Sequence, residues 1–184
     1  MAMTEFDTIL RQILSDIRVG VGAQFDENFE RQAFFSSAWQ RRRSPVRGEG
    51  HILLDTGELR RSIKATSDEN SITFSSDLPY AEIHNEGGKI AVTARMKRFF
   101  WAKFYETQNA FGRKKSGERR QDKRNAQLDS ISEFYRTMAC LPVGYQITIP
   151  RRRFLGTDPA LEEMVTTIIT SNLEEYFNSN LFKK

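Results

Sequence analysis

His84 stands between Glu82 and Glu86 in the run EIHNE, a crowding of titratable groups that could supply a general acid–base pair or metal ligands. On a helix, however, Glu82 and Glu86 share a face and His84 points elsewhere, which suits neither use. The expected role for His84 is a hydrogen bond to a neighbouring backbone group. Cys140 lies beside Leu141 and Pro142 at the end of an apolar-striped segment, where a free thiol behaves as a small hydrophobe rather than a nucleophile. The glycine-containing stretches GEGH and GRKKSG lack the spacing of a dinucleotide or P-loop fingerprint, no strand clearly precedes either, and no G-x-S-x-G occurs. One cysteine and two histidines exclude an internal disulfide and a cysteine-cluster zinc site, and leave little for a histidine site. These residues build no local catalytic set and require no cofactor.

The basic segments offer a different chemistry. From Arg95 to Asn125 there are eleven Lys/Arg against three Asp/Glu, and from Gln40 to Lys64 seven against three, while the whole chain carries only +4. The remainder is therefore acidic and the molecule is dipolar, able to meet phosphate, an acidic protein surface or solvent. In MKRFFWAKFYE, rings beside Lys97, Arg98 and Lys103 could stack bases, but the same rings at helical spacing also make a core face. RRRFLG could bind anions, and Phe154 and Leu155 within it resemble a plug that docks a loop on the body.

The elements that must carry these residues follow from periodicity. Phe6, Ile9, Leu10, Ile13, Leu14, Ile17 and Val21 form one helical stripe with Thr4 as N-cap. Gly20 and Gly22 should interrupt or bend that helix before Phe25 and Phe29 resume it, to about Phe35. Residues 40 to 51, with Pro45, Gly48 and Gly50 among four arginines, read as an exposed loop. LLDTGELRRSI predicts a short helix leading into a strand, and SITFSS a half-buried strand. Asp77 and Pro79 start a short helix that Gly87 and Gly88 end, and the strand KIAVT follows.

MKRFFWAKFYE and LDSISEFYRTM predict two helices joined by a mobile basic loop. YQITIP is a strand. Asp158 and Pro159 then open the last helix, whose stripe runs from Leu161 through Met164, Val165, Ile168, Ile169, Leu173 and Tyr176 to Phe177, with Lys183 and Lys184 beyond. The expectation is one α+β domain over 1–184, a small mixed or antiparallel sheet packed by long N- and C-terminal helices, with a basic helical insertion at about 95–140. At 184 residues, 39% hydrophobic and with fourteen Phe, the chain supports one ordinary core. It has no run of about 18 apolar residues, and its acidic start is unlike a secretory signal, so a soluble protein not exported by that route is expected.

Three segments carry a resemblance together: TGELRRSI (56–63), YAEIHNEGG (80–88) and IPRRRFLG (149–156). In this order, followed by a long amphipathic helix, they resemble the phage virion morphogenesis family, the tail-completion proteins of contractile-tailed bacteriophages such as Mu. That family's pattern is approximately T-G-x-L-x-x-S-I, Y-A-x-I-H-x-x-G and I-P-x-R-x-F-L-G, and Trp39 matches its aromatic after the N-terminal helix. Its last motif usually reads I-P-A-R-P-F-L-G, and here Arg151 and Arg153 replace the small residue and the second proline. The resemblance covers roughly 1–94 and 145–184.

It implies a structural, non-catalytic virion protein without cofactor, completing tails or joining head to tail at the neck. Such a protein would act as a homo-oligomeric ring, for instance a hexamer. Its neighbours would be the tail tube or tail terminator and the neck or connector proteins, with DNA passing non-specifically through the lumen and no membrane. The virion tail or neck is the implied location, after assembly in the host cytoplasm. Arg41, Arg42, Arg43, Arg151, Arg152 and Arg153 are the candidates for a lumen or partner surface. The alternative is a nucleic-acid-binding accessory protein using the basic 95–125 segment.

Overall fold

A computed structural model describes residues 5–47 and 50–181. The expectations for Thr4, Gly48, Lys183 and Lys184 lie outside those residues. The fold is α+β, and among the described residues the strands pair as three antiparallel two-stranded ribbons. The chain divides into two compact units, Met1–Gln40 with His51–Glu86 and Arg151–Lys184, and Arg41–Gly50 with Gly87–Pro150.

The first unit is built on α1 (Glu5–Arg31) and α6 (Pro159–Leu181). Glu5 meets Tyr176, Asp16 meets Asn172, and Gly20 lies against Ile168, so the two helices run antiparallel. The expected interruption at Gly20 and Gly22 does not occur: the helix is continuous through both glycines. A Cβ at position 20 would stand 3.1 Å from Ile168 Cδ1, so the missing side chain serves the close approach of the helices and tertiary packing outweighs its low helix propensity. The stripes are covered only in part, since Phe6 and Phe177 are exposed.

Helix α1 ends at Arg31 rather than near Phe35, because Gln32 takes a positive φ and the chain turns into β1 (Ala33–Phe34) and β2 (Ser37–Ala38). Phe35, in the turn between them, also has φ of +52°, a conformation costing a bulky residue about 1–2 kcal/mol. It is held there by burial and by its N–H donating to the buried Asn28 Oδ1 at 3.2 Å. Then come α2 (Glu58–Arg61), the hairpin of β3 (Ile63–Ser67) and β4 (Ile72–Ser76), and α3 (Ala81–Glu86). Gly87, at φ +73°, ends α3 as expected of a glycine C-cap. Two adjoining apolar clusters form the core. One holds Phe29, Trp39, Ile52, Leu59, Ala81 and Phe154, the other Val21, Phe25, Phe34, Phe35 and Leu161.

The second unit contains a 3₁₀ turn at Pro45–Arg47, β5 (Gly88–Ala91), α4 (Ala94–Asn109), α5 (Lys123–Cys140) and β6 (Gln146–Ile149), with β5 and β6 paired. Thr93 and Asp122 cap the two helices through their side chains. Lys97 reaches the Leu141 carbonyl, Phe100 packs on Phe134 and Tyr135, and Gln108 bonds Ser132, so α4 and α5 are antiparallel. Cys140 is exposed, not a packed hydrophobe.

The connection between α4 and α5 is an ordered hairpin, where a mobile loop was expected. Arg113 and Arg119 pair as a β-bridge, and Asn125, 3% exposed, clasps the base. Its Oδ1 accepts from Gly112 N–H, and its Nδ2 donates to the carbonyls of Gly112 and Arg120. Arg113 donates to Gly117 O and Arg120 to Arg113 O, while Arg119 covers the Phe111 ring. Cations that looked available from composition thus hold the hairpin together. Asn125→Ala frees the Gly112 N–H and the Arg120 carbonyl, while the Gly112 carbonyl keeps its bond from Arg120 N–H, so the expected loss is about 1–2 kcal/mol, accompanied by fast amide exchange confined to residues 111–122. Unchanged protection there would show that the clasp is dispensable.

Candidate functional site

The three motifs of the sequence converge on one node in the first unit. Leu59 from the first, Ala81 from the second and Phe154 from the third pack with Phe29 and Trp39 in the same apolar cluster. The Phe29 ring lies 5.4 Å from Trp39 and 5.5 Å from Phe154, centroid to centroid, in the tilted and edge-on arrangements aromatic pairs favour.

Backbone bonds then fasten the third motif to the rest. The Phe154 and Leu155 N–H groups both donate to Asn85 Oδ1 at 2.9 Å, and Arg152 N–H donates to the His84 carbonyl at 2.8 Å. Trp39 Nε1 donates to the Arg153 carbonyl at 2.6 Å. Tyr80 Oη donates to Glu58 at 3.1 Å and ties the second motif to the first. Asn85 was missed in the sequence. Its signal was an amide-bearing residue in the last turn of a short helix, a position where such side chains commonly bond irregular backbone.

The six candidate arginines divide between the units. Arg151 is exposed and pairs with Glu86 at 3.1 Å. Arg152 is only 8% exposed, and its Nε donates to the Gln40 carbonyl at 2.9 Å, so it braces the corner from inside instead of facing outward. Arg153 is half-buried with its guanidinium 4.8 Å over the Phe34 ring, covering the core where the family's pattern has proline. Arg41, Arg42 and Arg43 belong to the second unit, with Arg41 and Arg43 exposed and Arg42 half-buried.

His84 does not make the expected backbone hydrogen bond through Nδ1. Its Nδ1 is buried without a hydrogen-bond partner among the described residues. Burial first, and the nearby Arg152 charge second, hold its pKa below the ordinary value near 6.5. The unfolded chain therefore takes up this proton at higher pH than the folded one. Stability is complete above about pH 6.5 and falls as acidification passes through the interval between the two values. Thermal melts should show Tm dropping as the pH is lowered below about 6.5, with His84→Gln flattening the curve. A slope that survives the substitution would place its origin elsewhere.

Elsewhere in the first unit, an open groove of about 380 Å³ is lined by Arg18, Val19, Phe25, Arg60, Ile63 and Phe74. Arg60 bridges Asp26 and Glu30 at its rim, which raises the arginine's pKa and lowers that of Asp26. Among the described residues, no group of three His, Cys, Asp or Glu side chains is placed to hold a metal ion, and no helix is long and apolar enough to cross a membrane.

A node of interlocked motifs, filled by aromatic rings and tied by backbone bonds, is the geometry of a scaffold. The model of the phage virion morphogenesis family matches residues 10–174. The chain belongs to that family. Neither a curated protein nor a solved structure matches it significantly. Membership points to a structural virion protein, located in the particle and in contact with other virion proteins. The match spans the second unit as well, including the basic hairpin, which lies outside the segments covered by the three-motif resemblance.

Proposed function

We propose that this virion protein completes the tail or joins head to tail at the neck, as one subunit of a homo-oligomeric ring without catalytic activity. The observation that carries this reading is the convergence of all three family motifs on an apolar node with no reactive group exposed in it. The family's signature is thereby accounted for by folding, which leaves the surfaces for assembly. The chain is one tail-completion-like domain carrying a basic helical insertion. Tail tube or terminator and neck or connector proteins are its neighbours, in a virion assembled in the host cytoplasm. Of the arginine candidates, the exposed Arg41, Arg43 and Arg151 are those suited to the lumen or a neighbour, where DNA passes without sequence readout.

Light scattering on the purified protein, alone and mixed with its tail-tube neighbour, tests this. A closed oligomer, alone or on the tube, is expected. A strict monomer that never joins tails would contradict it.

The nucleic-acid reading retains one favourable observation: the second unit holds seventeen Lys/Arg against six Asp/Glu. Since Arg113, Arg119 and Arg120 are engaged within the hairpin, the informative variant replaces the exposed Lys115, Lys123 and Arg124 with Gln. An unchanged, salt-dependent DNA shift would remove that reading.

A further inference from the structure

Charge is segregated between the units more sharply than along the sequence. The second unit's excess of eleven positive charges faces eleven Lys/Arg against eighteen Asp/Glu in the first. Two helices express this contrast on exposed faces. On α4, Arg95, Arg98, Phe99, Ala102 and Tyr105 share one solvent-facing stripe, with Phe99 53% and Tyr105 60% exposed. Rings left this open, beside arginines and around a small alanine, are the composition of an interface core.

On α6, the outward stripe reads Glu163, Thr166, Thr167, Thr170, Glu174 and Phe177, all exposed, in a helix with four Glu and no Lys or Arg. The Thr166 and Thr167 hydroxyls bond the carbonyls of Glu162 and Glu163 at 2.8 and 2.9 Å. Their hydrogen-bonding needs are met within the helix, so the stripe asks little polar complementation of a neighbour.

Helix α4 also carries charge of the wrong sign for its own dipole: Arg95 and Arg98 lie near its positive N-terminus, whose first turn has no acid. Antiparallel docking on α6 brings Glu174, on the outward stripe, and the flanking Glu175 to them. The Arg95–Tyr105 stripe spans about 15 Å and the stretch from Glu175 back to Thr166 about 14 Å, at 1.5 Å per residue.

We infer that α4 of one copy docks antiparallel on α6 of the next, with Arg95 and Arg98 against Glu174 and Glu175 and with Phe99, Ala102 and Tyr105 over Thr166, Thr167 and Thr170. Because the two patches differ, the contact is heterologous and repeats from copy to copy, which closes a ring if the rotation allows. The inference rests on the ring reading above and names the surfaces that build it.

Charge reversal at exposed positions tests it with little risk to folding. Arg95→Glu with Arg98→Glu, and separately Glu174→Lys with Glu175→Lys, should each weaken self-association at least about tenfold by light scattering and sedimentation. Wild-type assembly should loosen as salt rises from about 50 mM to about 500 mM. An equimolar mixture of the two variants should reassemble in alternation, since each then meets opposite charge on both faces.

A wild-type oligomer whose mass neither variant alters would overturn this contact and leave the ring standing. Loss in the α4 variant alone would also overturn it, by giving α4 a different occupant such as nucleic acid or another protein. A wild-type protein that stays monomeric alone and on tails would overturn both the contact and the ring.

Discussion

Phe154→Ala is expected to lower the free energy of unfolding by about 3–5 kcal/mol, the range for removing a fully enclosed aromatic side chain and leaving part of its volume empty. Phe154 is 0% exposed and is the meeting point of the three motifs, packed against Phe29 and within reach of Trp39, Leu59 and Ala81. Native stabilities are commonly only about 5–15 kcal/mol, so the variant stands near its folding limit at host temperature. Urea unfolding followed by tryptophan fluorescence measures the loss directly, because Trp39 lies in the same cluster. A loss below about 1 kcal/mol would mean that the corner is peripheral to the core. Phe154→Leu, which refills part of the space, should recover a substantial share.

Asn85→Ala should cost about 2–4 kcal/mol, because one side-chain oxygen serves two backbone donors and the Phe154 N–H is enclosed with its residue. Asn85→Asp tests the mechanism more sharply than the loss itself. A carboxylate keeps an acceptor at the same place but sets a second negative charge where the Asn85 amide donates to Glu86 Oε1 at 2.6 Å, so it should retain only part of the stability, while Asn85→Leu should behave like Ala despite its similar volume. Equal losses in the Asp and Leu variants would show that the amide matters for something other than accepting these two bonds. Thermal melts of the three variants decide the point.

The two substitutions separate what the sequence disclosed from what it concealed. Short-range regularities were legible: the stripes of α1 and α6, the alternation of β4, the glycine end of α3 and the Asp158–Pro159 start of α6 all follow from local rules. Gly20 was misjudged because a glycine's helix propensity is local and its reason here is Ile168, about 150 residues away in sequence. The basic hairpin was misjudged for a related reason. Composition counts arginines as solvated charges, whereas Arg113, Arg119 and Arg120 act as donors to backbone, amide and ring.

The arginine corner shows the same limit at the candidate site. Three successive arginines have one charge pattern and three environments: Arg151 exposed on Glu86, Arg152 buried on Gln40, Arg153 laid over Phe34. Nothing in RRR distinguishes them. Their different burial comes from the turn that sends Phe154 into the core and from the partners the first unit brings to each. The motifs themselves were visible, since each is a short run, but their meeting point depends on contacts as distant as Trp39 with Arg153.

The proposed function makes these motifs the scaffold of a subunit needed to finish or join the viral tail. Its most direct test is electron microscopy of lysates from a phage lacking this protein, with and without the wild-type chain supplied in trans. Filled heads and separate or unfinished tails are expected without it, and intact particles once it is restored. Normal numbers of intact, infectious particles in its absence would contradict the proposed role.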